Sequence, residues 1–157
     1  MRKGQKITVF DIDNTIVDST HRTPNNPDGT LNLAGYFKNR TRESIFKDTL
    51  LPLAETVKDR KSAGEWVVLC TARHVDCDDL DFLKAKGIVY DEILSRSNCK
   101  KKYINLPDPQ YKSKQLNKYK DIEYEFYDDA KPIIELFSSY RNVNMIDANK
   151  ANTEIAK

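Results

Sequence analysis

The run from Lys6 to Asp18, KITVFDIDNTIVD, constrains this chain more than any other stretch. Ile7, Val9 and Phe10 have the β-branched and aromatic character of a short buried strand, whereas Asp11, Asp13 and Asn14 are poor residues inside a sheet, so the strand ends in acid. In a parallel α/β sheet, ligands bind in the crevice beyond the carboxyl ends of the strands, which gives carboxylates at such an end a chemical use. Asp and Asn also initiate turns, and D-x-D-N taken alone fits that explanation equally well.

Other stretches tip the balance. Trp66 to Cys70 (WVVLC) is a strand that runs into Thr71, and Glu123 to Tyr127 (EYEFY) is one that runs into Asp128 and Asp129. Between them, YKSKQL places Lys112 and Lys114 at the start of a predicted helix. Singly, Thr71 could be an N-cap, Lys112 a solvated helix charge and Asp128-Asp129 a turn. An acid pair, a Thr, a Lys and a second acid pair, in that order, are together the groups that phosphoryl transfer requires. Turns and caps do not call for that combination.

DIDNT resembles the first motif, D-x-D-x-T, of the haloacid dehalogenase superfamily of phosphohydrolases, and VVLCT its second, an apolar strand ending in Thr or Ser. Lys112 resembles the third-motif lysine and FYDD the fourth-motif acid pair, so the likeness runs from about residue 6 to 147. Within the superfamily, DSTHR at 18–22, TAR at 71–73 and SR at 95–96 are similar to the phosphatase domain of polynucleotide kinase–phosphatases. Asn14 and Ala72 stand where many relatives carry Gly; Asn tolerates left-handed backbone angles, Ala does not.

The resemblance implies roles. Asp11 is the expected nucleophile, forming an aspartyl-phosphate. Asp13 is the expected acid/base, a task that asks its neighbours to favour the protonated carboxyl. Mg²⁺ is the implied cofactor, held by Asp11, the backbone carbonyl of Asp13 and Asp128, with Asp129 beside it, since this ion prefers oxygen ligands. Thr71 and Lys112 are expected on the phosphoryl oxygens. Lys112 is favoured over Lys114 because a Leu stands four residues after it, although both remain open. Arg73 is near enough to Thr71 in sequence to share the phosphate with its guanidinium fork. Arg22 and His21, from the DSTHR match, and Arg96 at the rim complete the expected substrate contacts.

With 157 residues the chain fits one domain, 1–157, with a sizeable core. The alternation of strands and helices predicts an α/β, Rossmann-like three-layer α/β/α domain with a mainly parallel sheet. The strands fall near 6–10, 66–70, 88–94, 123–127 and 142–146; the helices fall near 50–63, 76–86, 112–119 and 132–140, with a short tail after them. Residues 18–47 are rich in Pro, Asn and Gly and read as a long loop, which the resemblance makes a minimal cap insert, too small for a core of its own, with at most a short helix around 33–39. Such an insert predicts an open site, suited to a phosphate on a large molecule.

A net charge of +2 with 32% charged residues describes an ordinary soluble surface, but lysines gather at 99–103 and 111–120. That clustering is either a solvated face or a contact for a phosphate-rich polymer. Three cysteines without a C-x-x-C suggest a reduced, cytoplasmic setting, and no run reaches the ~18 apolar residues of a membrane span.

The resemblance implies a Mg²⁺-dependent phosphomonoesterase with an aspartyl-phosphate intermediate, acting on a phosphorylated nucleic acid end, in particular a terminal 3′-phosphate, or on a nucleotide. The alternatives are a phosphatase of a small metabolite or 5′-nucleotide, a phospho-accepting receiver domain and an inactive binding module. A receiver opens with its acid pair, whereas here D-x-D comes first and the pair last. No G-x-x-x-x-G-K-[ST] kinase motif occurs in the chain, which admits a separate kinase as a partner.

Overall fold

β1 (Ile7–Phe10), every residue of it buried, is the middle strand of a five-stranded sheet. The computed structural model describes residues 1–157. On one side of β1 lies β4 (Trp66–Cys70) and then β5 (Glu92–Leu94); on the other lies β6 (Tyr124–Asp128) and then β7 (Val143–Asp147), all pairings being parallel. Successive crossovers run from β1 to β4 to β5, then return across β1 to β6 and β7. The direction reverses between β1 and β6, and in open α/β sheets the crevice for a ligand opens at such a point.

The pleat sorts side chains into two cores. Phe10, Val67, Leu69 and Tyr127 face α3 (Leu53–Ser62) and α4 (Cys77–Ala85), while Ile7, Val9, Val68, Cys70 and Phe126 face α5 (Asp108–Leu116) and α6 (Lys131–Ser138). A sheet apolar on both faces is stable only when helices cover both, and this one is a three-layer α/β/α arrangement as expected.

Several boundaries differ from the sequence reading. α5 starts four residues before Lys112, because Pro109 sits in its first turn, where no amide donor is needed. β6 retains Asp128, paired with Asp147, so this acid belongs to the strand and not to a turn after it. The expected tail is α7 (Ala148–Ile155), whose N-terminal amides are capped by the Asp147 side chain. Asn152 of α7 accepts from the Leu53 amide at 2.8 Å and donates to the Thr15 carbonyl at 3.0 Å, which ties the C-terminal helix under the first motif.

Residues 19–48 leave and re-enter through a neck, the antiparallel pair β2 (Val17–Asp18) and β3 (Thr49–Leu50). Between them lie α1 (Leu33–Lys38) and α2 (Arg42–Ile45), one more helix than expected, each begun by a side-chain cap, Asn32 or Thr41. Arg42 of α2 donates to Asp78 and Asp81 of α4 at 2.9 and 2.8 Å, so the insert lies against the start of α4.

Candidate active site

At the end of β1 the backbone keeps one more sheet bond, Asp11 N to Tyr127 O at 2.9 Å, and then turns sharply. The Ile12 carbonyl accepts from the amides of Thr15, Ile16 and Val17, and the turn passes through Asn14 at φ 59°. This is the left-handed conformation that Asn accepts better than other side-chain-bearing residues, so Asn serves where relatives carry Gly. Asp11 is thereby buried and Asp13 faces the cleft, on a turn instead of on continued strand pleats.

α5 brings Lys112 across the end of the sheet. Its ammonium donates to Asp11 Oδ1 at 2.8 Å and to Asp128 Oδ2 at 2.7 Å, with its side chain 3% exposed. Lys114, two positions on, is exposed, which settles which lysine the fold buries. Asp128 Oδ1 accepts from the Ala130 amide at 2.9 Å, so each oxygen of this fully buried carboxylate has a donor. Asp11, Asp128 and Asp129 each place an oxygen within 4.8 Å of the others.

The electrostatics of this cluster are one-sided. Burial lifts the Asp11 carboxyl well above the usual range against the pull of Lys112, and Asp128 and Asp13 add to the rise. Burial, then the Asp128 charge, pushes Asp129 up to about 6. Burial also works against the Lys112 ammonium, but Asp11 and Asp128 outweigh it and hold the ammonium above its ordinary value. Three converging carboxylates with one ammonium leave excess negative charge, and an all-oxygen donor set of this kind fits a hard divalent cation.

Thr71, 1% exposed, stands at the end of β4 and accepts from the Arg73 amide at 3.3 Å, which leaves its hydroxyl hydrogen for the cleft it lines. Asp13 accepts from Ser19 Oγ at 3.0 Å and has Arg73 Nε 3.2 Å from its other oxygen. Asp13 therefore has one hydrogen-bond donor, Ser19, and one guanidinium in ion-pair contact beside it.

Of the residues expected on substrate, Arg73 and Arg96 line the cleft, whereas Arg22 and His21 stand apart from it. Arg22 is buried and forks onto Asp48 at 2.9 and 2.8 Å, and His21 reaches the same carboxylate at 2.7 Å; neither lines the cleft. The DSTHR stretch therefore builds the neck of the insert, with Asp48 beside β3 as its counter-charge. Arg96 lines the cleft but spends its guanidinium on the carbonyls of Ala72, Ile104 and Leu106 and on Asp108, and lies 4.3 Å over the Tyr111 ring. It fastens the 97–107 connection to the start of α5. Arg73 is held by acids, Asp13 on one side and Asp79 on the other. Sequence reasoning missed Asp48, Asp79, Arg40, Tyr36 and Ser19. Only Asp79 carried a local signal, as the closing acid of the capping box that Asp76 opens on α4.

The cleft over these groups measures about 790 Å³. The insert supplies one of its walls through Leu31, Leu33, Tyr36 and Phe37, of which Leu31, Leu33 and Phe37 remain exposed to solvent. A larger hollow of about 1030 Å³ lies at the opposite end of the sheet, around residues 1–7 and Arg141 to Asn144, away from the acid cluster.

The model of the bacteriophage T5 5′-deoxynucleotidase family matches residues 1–156. The 5′-deoxynucleotidase of Escherichia phage T5 is 28% identical over 171 aligned positions, covering 94% of this chain and 68% of that protein. Among solved structures, a chain of the Pnkp1/Rnl/Hen1 RNA repair complex superposes with a TM-score of 0.64 at 18% identity. The match covers 94% of this chain but only 43% of that one. A haloacid dehalogenase-like hydrolase, SP0104 of Streptococcus pneumoniae, gives 0.66 at 12% identity over 93% of this chain and 85% of its own. At such identities these two likenesses speak for the fold, and it is the haloacid dehalogenase fold. With a family match that runs almost from end to end, the chain belongs to the bacteriophage T5 5′-deoxynucleotidase family, a phosphoric monoester hydrolase built on the haloacid dehalogenase fold.

Proposed function

We propose that this protein is a Mg²⁺-dependent nucleotidase that hydrolyses deoxynucleoside 5′-monophosphates through an aspartyl-phosphate on Asp11. The observation that carries the reading is the Lys112 ammonium bridging Asp11 and Asp128 at 2.8 and 2.7 Å where the sheet order reverses. Asp11, Asp128 and Asp129, with the backbone carbonyl of Asp13, would hold the metal, which supplies charge neutralisation at the phosphoryl oxygens.

An oxygen of Asp11 attacks phosphorus while the bond to the 5′-oxygen breaks, and Asp13 delivers its proton to that departing oxygen. Asp13 then takes a proton from water, the water oxygen attacks the phosphorus of the acyl phosphate, and inorganic phosphate leaves Asp11 as a carboxylate. Lys112 orients Asp11 and compensates charge on the phosphoryl group, and the Thr71 hydroxyl donates to one of its oxygens. The cleft supports a mononucleotide over a polynucleotide end: its volume suits a molecule of that size, and Leu31, Leu33 and Phe37 offer an apolar wall for a base.

A panel tests the choice: deoxynucleoside 5′- and 3′-monophosphates, 3′-phosphorylated oligonucleotides and sugar phosphates, each with Mg²⁺. The 5′-monophosphates should be turned over with the highest kcat/KM, and Asp11→Asn should be inert on all of them. Preference for the oligonucleotide would return the reading to a polynucleotide 3′-phosphatase, and turnover by Asp11→Asn would remove the nucleophile.

A further inference from the structure

Arg73 and its neighbours form a chain of ion pairs that runs from the cleft into the insert. Arg73 Nε lies 3.2 Å from Asp13 Oδ2, and Arg73 Nη2 lies 3.4 Å from Asp79 Oδ1. The other oxygen of Asp79 takes Arg40 Nη2 at 2.9 Å and the Asp76 amide at 3.1 Å. Arg40 stands between α1 and α2 of the insert and is pinned further by the His74 carbonyl at 2.9 Å and Asp76 at 3.2 Å. The side chains of Arg73, Asp79 and Arg40 are 11%, 1% and 12% exposed, so this part of the chain is shielded from water, while Asp13 at its cleft end is 31% exposed. Shielded pairs keep their strength and their direction far better than exposed ones.

We infer that Arg73 is a positioning residue for the acid/base Asp13, and that Arg40 of the insert sets its position through Asp79. The inference rests on the acid/base role proposed for Asp13 and adds to it a link between the seating of the insert and the transfer of the proton. Moving Arg73 away from Asp79 would strip that buried carboxylate of one of its two cations in a place where water cannot replace it. Tyr36 of α1 packs its buried hydroxyl beside the same guanidinium, so the insert touches Arg73 directly as well as through Asp79. That hydroxyl, Arg73 Nε and Nη1 and Asp79 Oδ1 make no hydrogen bond within the protein, so Arg73 meets Asp13 and Asp79 as ion pairs. Arg73 is thereby bounded by the insert on one side and by Asp13 on the other, and a displaced insert displaces the carboxyl that must meet the leaving oxygen. Proton transfer is sensitive to such shifts, because the acid must reach hydrogen-bond distance of the leaving oxygen.

The test is a series of substituted phenyl phosphates, which share one shape and differ in how much their leaving oxygen needs a proton. Its readout is kcat/KM, which reports the steps up to formation of the aspartyl-phosphate. Arg40→Gln should lower kcat/KM about tenfold more for phenyl than for p-nitrophenyl phosphate, steepening the dependence on leaving-group basicity. Arg40→Lys should restore most of the slope, and Asp13→Asn with Arg40→Gln should be no steeper than Asp13→Asn alone. A uniform loss across the series, or a change in KM with the slope intact, would overturn the inference, because either marks an insert that only shapes the cleft. If Asp13→Asn itself leaves the slope unchanged, the acid/base assignment fails. If Asp13→Asn steepens it and Arg40→Gln does not, the link to the insert fails and the assignment stands. Asp79→Asn provides a second variant of the same link, with its melting curve compared first because Asp79 also caps α4.

Discussion

Replacing Lys112 by Met keeps most of the side-chain volume and removes the one ammonium among Asp11, Asp128 and Asp129. At the observed 2.8 and 2.7 Å, and with an effective dielectric of about 20, each contact amounts to roughly 6 kcal/mol of attraction. Desolvating the ammonium offsets much of this sum. Loss of one partner from a buried pair costs about 3–5 kcal/mol, chiefly because the acids left behind are uncompensated. In a chain of this size one kilocalorie lowers Tm by about 3 °C, so metal-free Lys112→Met should melt about 10–15 °C below the parent. Saturating Mg²⁺ should narrow that gap, because a dication among the same carboxylates supplies part of the missing charge. Turnover should not recover with stability: kcat should stay about 10²–10³-fold down, the usual cost of removing a preorganised donor to developing charge. Lys114→Met, on the exposed side of α5, is the control and should shift stability by less than about 0.5 kcal/mol. Differential scanning fluorimetry with and without Mg²⁺, paired with phosphate-release assays, measures all four quantities. A Lys112→Met variant that melts with the parent, or a Lys114→Met variant that loses as much activity, would refute the assignment of the buried ammonium.

The same geometry leads to other measurable outcomes. Because burial and Asp128 raise Asp129 to about 6, protons compete with the metal there, so the Mg²⁺-induced rise in Tm should shrink as pH falls through that value. In metal-free protein the sign is opposite: a carboxyl raised above its unfolded value favours folding at low pH and loses that contribution as pH climbs through about 6. Fluorimetry over a pH series with EDTA or Mg²⁺ distinguishes the two. Phe37→Ala, at the outer wall of the cleft, should raise KM for deoxynucleoside monophosphates by about tenfold if a base stacks there, with far less effect on phenyl phosphate; steady-state kinetics on both substrates checks this. Arg22→Met should cost about 3–5 kcal/mol in urea unfolding by stranding buried Asp48, and Arg22→Met with Asp48→Leu should recover most of the loss.

The parts of the site that were legible in the sequence are those whose position is set by where a strand stops. Asp11, Thr71 and Asp128 each end a run of apolar or aromatic residues, and parallel strands stop at the same edge of a sheet, so three motifs far apart in sequence meet there without further information. In sequence, Lys112 is favoured over Lys114 only through the family pattern, four residues before Leu116; the helix supplies the physical reason, since a turn of about 200° between positions 112 and 114 leaves Lys112 alone on the buried face of Leu116. The unread remainder depends on partners that no local pattern announces. Arg22 finds Asp48 across 26 positions and Arg40 finds Asp79 across 39, and each pairing exists only because the β2–β3 neck folds the insert back onto α4. α7 was hidden for the same reason, since ANKANTEI is a weakly apolar segment that gains its place from the Asp147 cap and from Asn152 bonding to Leu53, the first residue of α3, and to Thr15. An arginine after a motif threonine reads in sequence as a phosphate ligand because guanidinium and phosphate match. In the fold, Arg73 lines the cleft with acids on two sides, Asp13 and the buried Asp79, and neither pairing is announced by a local pattern.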